Sequence, residues 1–328
     1  MRQLKLQTPV AVGHSRVGLS VADRIMILGS CFADSVGAKM EGLGLKVCIN
    51  PFGTLYNPVS ICNSVARMES GVPFRKEECV RMGSGSDLFC SFNHHTSFAR
   101  KTEGEFLDNA NSRLQEAGAA WASTNKVIIT LGTAWCFEYK RTGEVVSNCL
   151  KIDGKEFERK RLGVRETSLL LRNMVEKHPD KEFIFTVSPI RHMADGAHGN
   201  QISKSTLLLA VEEICSIFPD RADYFPAYEI VLDELRDYRF YAPDMVHPSD
   251  QTAGYIWDRF EEWAFPENEL PVLEERRKEL VHSQHRLNNV LCTVSWVSTG
   301  HLCLILWHLR IAQHGVHILA QHIAEQGS

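Results

Sequence analysis

Nowhere in this chain of 328 residues do two cysteines stand in a C-x-x-C spacing, and no histidine-rich ligand spacing accompanies them. The ten cysteines are scattered singly from Cys31 to Cys303. That pattern points to neither a zinc site nor a disulfide framework, so reduced thiols are expected and no metal or cofactor is. Long blocks of Lys or Arg are also missing, and the formal net charge is −4. A polyanion-binding surface is therefore not expected, and nucleic acid is not an expected partner. The first nine residues lack the apolar core of a secretory signal. The one long apolar run, Val290 to Trp307, is cut by Ser295, Ser298, Thr299, Gly300 and His301. Stable membrane insertion is not expected from it, and the expected location is cytoplasmic. The oligomeric state is left open.

With 44% apolar and 23% charged residues, the composition is that of an ordinary globular protein. A polar lead-in over residues 1–23 carries a weak alternation that would suit an edge of the fold. Short apolar runs then alternate with stretches of helical spacing. Strands are expected at Ile25–Leu28, Leu45–Ile49, Lys126–Gly132, Glu182–Pro189 and near Tyr224–Val231. Helices are expected behind Phe32, Val36, Met40 and Leu43; at Ile61, Val65 and Met68; over Glu105–Trp121, Thr167–His178 and Ile202–Phe218; and after Ser249. Such alternation predicts a three-layer α/β/α sandwich around a mostly parallel sheet, flavodoxin-like in class. Arg141-Thr-Gly-Glu144 reads as the turn of a small inserted hairpin, continued by a charged flap over residues 148–162.

The chain is organised around Gly29-Ser30-Cys31-Phe32-Ala33, where a buried strand stops and a helix begins. Open α/β sheets place ligands at the carboxyl ends of their strands, and a helix amino end presents N–H groups to an anion. Two side chains there can act as nucleophiles, Ser30 and Cys31. The plain alternative is architectural, since serine is a common helix cap and cysteine a common core residue. Further along, Asp244 stands three residues before His247 in a segment stiffened by Pro243 and Pro248.

The wording of the first motif resembles the signature of the bacterial GSCFA family, which is itself similar to the SGNH (GDSL-type) hydrolases, esterases and acetylhydrolases. The resemblance covers roughly residues 20–270, through four matching stretches spread in the right order. The resemblance implies that His247 is the general base, that Asp244 orients it, and that a nucleophile at Ser30 or Cys31 attacks an ester or O-acyl carbonyl. Counting from the Gly, as in the superfamily's Gly-Asp-Ser block, puts the nucleophile at Cys31. The same resemblance implies an oxyanion donor at Gly53, with Asn57 nearby, and substrate contacts from Arg191, His192 and one histidine of the His94-His95 pair, taken as His95. In the superfamily a Gly-x-Asn block follows the third strand. Here Gly132-Thr133-Ala134 lacks the Asn, so the third donor has to come from Thr133, a backbone N–H or the 50–58 loop. The implied function is a hydrolase of the esterase or acetylhydrolase type acting on a small-molecule or saccharide ester. An O-acyltransferase and a binding module without turnover are the alternatives.

From residue 282 the composition changes. Only Arg286, Arg310 and Glu325 are charged there, and seven of the 14 histidines fall in the same stretch. Residues 1–281 are expected to form the GSCFA-like domain, and 282–328 an atypical His-rich, charge-poor tail that carries no site.

Overall fold

Five strands lie side by side in one parallel sheet, in the order β2 (Lys46–Ile49), β1 (Arg24–Gly29), β5 (Lys126–Leu131), β9 (Glu182–Val187) and β10 (Ala222–Tyr224). The structure is a computed structural model and describes residues 7–280 and 282. The central strands β1, β5 and β9 are buried on both faces, which is why each reads as an unbroken apolar run rather than an alternation.

Alternate residues of those strands feed two separate cores. Met26, Leu28, Val127, Ile129, Phe183 and Phe185 pack against α2 (Pro58–Ser70), α3 (Glu103–Ser123), α4 (Val164–Lys177) and α5 (Gly196–Ile217). Ile25, Ile27, Ile128 and Ile184 pack on the other side against α1 (Cys31–Gly42) and α7 (Asp250–Ala264). The expected three-layer α/β architecture is therefore present. From β1 the chain goes first to β2 on one side and later to β5 on the other, so the topological switch point lies between the carboxyl ends of β1 and β5. That is the crevice where sheets of this order place ligands.

Two small antiparallel sheets are added. One pairs β3 (Val80–Arg81) with β4 (Phe89–Cys90). The other places β6 (Trp135–Tyr139) between β7 (Glu144–Val146) and β8 (Phe157–Arg161). This is the expected hairpin and charged flap, and β6 begins four residues beyond the end of β5.

Two expectations are corrected. The apolar stretch Tyr224–Val231 is not a strand beyond Tyr224: Pro226 has no N–H to continue a ladder, and the chain turns into α6 (Ala227–Glu229) and then a wider helical turn, Ile230–Glu234. Ala227, Ile230 and Val231 are buried as one face of that turn. Helix α5 starts at Gly196, six residues before the expected Ile202, so His198 and Asn200 lie on the helix and not in the preceding loop. The lead-in, expected along an edge of the fold, forms no strand among residues 7–23 and bonds to Asp223 of the edge strand β10. It is held by Arg16, whose N–H donates to Asp223 Oδ2 (2.7 Å), and by the N–H groups of Ser15 and Leu19, which donate to Trp263 O and Ala264 O. The compact unit ends at Glu274. Apart from His282, the tail 282–328 lies outside the described residues.

Candidate active site

Gly29 closes β1 with φ of +141°, and a Cβ there would overlap Thr130 of β5. The bare glycine lets the two strands approach so closely that the Ser30 N–H reaches both Thr130 O (3.2 Å) and Thr130 Oγ1 (3.1 Å). Ser30 is thereby drawn into the interior. It has no exposed surface, and its Oγ accepts the Phe32 N–H (3.3 Å) as the cap of α1. Cys31, one residue on, is the first residue of α1 and only partly buried. Its sulfur lies 3.4 Å from the Tyr56 hydroxyl, and its N–H has no acceptor among the described residues.

Asn50 locks this turn from the β2 side. Its backbone sits at φ of +39°, its Oδ1 accepts the Gly29 N–H (2.8 Å), and its Nδ2 donates to Asp34 Oδ1 (2.6 Å) in the first turn of α1. Burial pushes the Asp34 carboxyl up, opposed by that amide. From Asn50 the loop folds back over the end of β1, with the Leu55 N–H donating to Gly29 O (2.8 Å). Tyr56 is then gripped by the exit of β5: the N–H groups of Gly132 and Thr133 both donate to its carbonyl at 2.9 Å. Thr54 Oγ1 reaches the Tyr56 hydroxyl (3.4 Å), and burial with the nearby sulfur raises the phenol to about 12. Tyr56 carried no signal of its own in the sequence beyond its place in a stiff loop.

The candidate donors expected in this loop are otherwise engaged. Gly53, at φ of +83°, donates its N–H to Asn50 O (2.7 Å) inside the turn. A Cβ on Gly53 would overlap that of His95, so these two residues pack on each other. His95 Nδ1 accepts the Ser97 N–H (3.3 Å) and pairs with Ser97 Oγ (3.0 Å). Asn57 is the cap of α2, with Oδ1 accepting the Ser60 N–H (2.9 Å) and Nδ2 donating to Ser60 Oγ (3.0 Å). Thr133 Oγ1 accepts the Trp135 N–H (3.1 Å) and pairs with Ser203 Oγ (3.0 Å). His94 is a core histidine, ringed by Phe52, Phe74, Phe98 and Phe106 and lowered to about 3 by burial, with the Arg67 charge adding to it.

Beyond Tyr56 lies the exit of β9. The His192 ring meets the Tyr56 ring edge-on at 6.1 Å, and burial, reinforced first by the Lys204 ammonium, lowers it to about 4. Its Nε2 is buried with no hydrogen-bond partner among the described residues, as is Trp135 Nε1 at the base of the flap. Lys204 of α5 is fully buried. Its Nζ donates to Gly132 O and Ser188 O, both at 2.6 Å, which ties the ends of β5 and β9 together, and burial lowers the ammonium to about 7. Arg159 of the flap lies over the Trp135 ring (4.3 Å) and pairs with Asp195.

Arg191 holds the Asp244–His247 segment. Its N–H donates to Val246 O (3.1 Å) and its guanidinium to Met245 O (2.9 Å), while its charge faces the rings of Tyr238 and Tyr241. Met245 adopts φ of +58°, so the chain doubles back tightly enough for one carboxylate to serve both neighbours. Asp244 Oδ1 accepts the N–H groups of Val246 (2.9 Å) and His247 (3.0 Å), and Oδ2 pairs with His247 Nδ1 (2.6 Å). Those N–H groups, His247's first, hold the Asp244 carboxyl down at about 2. With Nδ1 donating to Oδ2, His247 Nε2 is the nitrogen left to act as a base. Both side chains are half exposed. Among the described residues no hydrogen bond joins His247 to Ser30 or Cys31, although His247 acts electrostatically on His192.

Among the described residues no three His, Cys, Asp or Glu side chains gather to hold a metal ion, and no described helix is long and apolar enough to cross a membrane. No curated protein matches the chain at a significant level. Among solved structures, one described provisionally as a platelet activating factor from Streptococcus pneumonia matches at 11% identity, over 74% of this chain and 84% of that one, with a TM-score of 0.37. The sequence pattern of the GSCFA family matches residues 24–260, and the protein belongs to the GSCFA family.

Proposed function

We propose that this protein is an SGNH-type esterase or acyl-transfer enzyme with Cys31 as nucleophile, His247 as general base and Asp244 as the carboxylate that orients it. The observation that carries this is the contrast between the two side chains of the turn: Ser30 is wholly buried and serves as a helix cap, whereas Cys31 is reachable at the amino end of α1.

In this mechanism the Cys31 proton passes to His247 Nε2 and the sulfur adds to the ester carbonyl carbon, moving the carbonyl π pair onto oxygen. The Cys31 N–H, which has no acceptor among the described residues, serves that oxyanion in this reading. Collapse re-forms the carbonyl and expels the alcohol, which takes the proton from His247, leaving a thioester on Cys31. Water, losing a proton to His247, then adds to the thioester carbonyl, and the Cys31 sulfur leaves and takes that proton, which makes a hydrolase; a sugar hydroxyl in the place of water makes an O-acyltransferase. Catalytic hydrogen bonds commonly tighten only when substrate binds, so the separation of His247 from Cys31 is compatible with this chemistry.

The test is a screen of purified protein against short-chain aryl esters and acetylated sugars, with iodoacetamide as inhibitor. Cys31→Ala is expected to abolish turnover and Ser30→Ala to retain a measurable part of it. If Ser30→Ala is inactive while Cys31→Ala keeps most activity, the nucleophile is Ser30. A ligand-binding module without turnover is the second function that an observation favours, because the Gly-x-Asn asparagine is replaced and the N–H groups of Gly53, Gly132 and Thr133 are all engaged. Saccharide binding without hydrolysis of any ester would establish it.

A further inference from the structure

We infer that Tyr56 supplies a second hydrogen-bond donor at the reacting centre, beside the Cys31 N–H, its hydroxyl serving the Cys31 sulfur before attack and the carbonyl oxygen after it. This rests on Cys31 being the nucleophile. The other groups expected to donate here are engaged in internal bonds: Thr133 Oγ1 pairs with Ser203 Oγ, the Gly53 N–H donates to Asn50 O, and Asn57 Nδ2 donates to Ser60 Oγ. The Tyr56 hydroxyl lies 3.4 Å from Cys31 Sγ.

The hydroxyl's other partner leaves its hydrogen unused. Thr54 Oγ1 donates to the Tyr56 oxygen, so the phenolic hydrogen is free to turn toward the sulfur. Burial and the sulfur keep the phenol protonated up to about 12, so at neutral pH it acts as a donor that keeps its proton. The ring is fixed as well. Its carbonyl takes two N–H groups from the exit of β5, its edge meets His192, and it stands one residue after Leu55, which is bonded to Gly29 O. An oxygen bonded to the carbon that Cys31 attacks falls within about 3 Å of the sulfur, inside the swing of the same hydroxyl. As charge leaves sulfur and appears on oxygen, the Tyr56 O–H follows it with no covalent bond to Tyr56 made or broken. A fixed hydroxyl beside the place where charge develops is the kind of preorganised donor whose removal costs about 10²–10³ in kcat.

Two readouts on Tyr56→Phe, which keeps the ring and loses only the hydroxyl, test the assignment separately from the nucleophile. The first is the rate of iodoacetamide modification of Cys31 across pH, followed by mass spectrometry of the peptide so that the other cysteines do not interfere. Loss of the donor is expected to slow modification at pH 7 by about threefold or more while leaving the high-pH rate as fast or faster. A purely packing role would not produce that crossing. Modification at the wild-type rate at every pH overturns the assignment, whatever the activity does. The second readout is ester turnover, expected to fall about 10²-fold in kcat with KM little changed, and an unchanged kcat likewise overturns the role on oxygen. Thr54→Val, which removes only the group that orients the hydroxyl, is expected to give a smaller effect of the same sign and remains informative if Tyr56→Phe does not fold. If Cys31→Ala retains activity, the enzymatic assignment fails, and that outcome is distinguishable because the modification profile does not depend on turnover.

Discussion

Gly29→Ala should be among the most damaging single substitutions in the domain. Alanine's Cβ would sit 2.8 Å from the Thr130 carbonyl carbon and closer still to Thr130 O and Oγ1, where about 3.5–4.0 Å is needed. The ends of β1 and β5 would have to part by about 1 Å. Overpacking of that kind costs roughly 1–3 kcal/mol. Holding a residue with a side chain at φ of +141° adds about 1–3 kcal/mol. A sum of about 4 kcal/mol is a large share of the roughly 5–15 kcal/mol that holds a domain together. With a urea slope of about 3 kcal/mol per molar, the midpoint should fall by about 1.3 M. Gly71→Ala is the matched control: Gly71 has φ of +61° at the end of α2, and a methyl added there would meet nothing within 4 Å, so it carries the backbone cost alone, about 1 kcal/mol or roughly 0.3 M. Equal midpoint shifts for the two variants would show that the close approach of the strands has no energetic weight, and the account of why Ser30 is buried would fall with it.

Four other perturbations bear on the rim. His247→Ala is expected to lower ester turnover by about 10³-fold with an unchanged thermal midpoint, and Asp244→Asn to be nearly as severe because the imidazole loses its orienting acceptor; full activity in His247→Ala would rule out the base. Asp244 has a depressed folded-state pKa of about 2, so whatever it lends to the order of its loop is present above about pH 4 and is lost as pH falls toward 2; proton NMR of the His247 ring checks this, and disordering already at pH 5 would contradict it. Lys204 is depressed to about 7 from an ordinary value near 10.4, so the unfolded chain binds the extra proton and stability rises from pH 7 to pH 10 by on the order of 2–4 kcal/mol; urea titrations should show that rise in the wild type and not in Lys204→Met.

The strands that frame the crevice were legible because burial on both faces turns them into plain apolar runs, and the break at Gly29 was legible because the run stops at a glycine followed by a helix-capping residue. Asp244 and His247 were legible for a similar reason, being three residues apart in a segment bracketed by prolines. What sequence spacing misled on was the stretch after Tyr224, where Ile230 and Val231 are apolar because one side of a helical turn is buried, a pattern too short to separate from a strand. The start of α5 was hidden because Gly196, Gly199 and Asn200 are poor helix formers whose place is set by contacts such as the His192 N–H to Asn200 Oδ1. The choice between Ser30 and Cys31 was not legible, since one residue of rotation at a helix start decides which side chain faces inward. Nor was the Cys31–Tyr56 contact, which depends on how residues 50–56 fold over the end of β1.

Asn50 reaches three stretches of chain at once: its own strand exit, the last peptide of β1 and the first turn of α1. Bonds centred on one buried residue open together when that residue is released as a unit. The amide hydrogens of Gly29 and Asn50 should therefore exchange with solvent together, with one free energy of opening, although they are 21 positions apart along the chain. A rim that opens as a whole spends its closed time in one geometry. For a site whose groups come from separate loops, that correlation in time matters as much as any single distance.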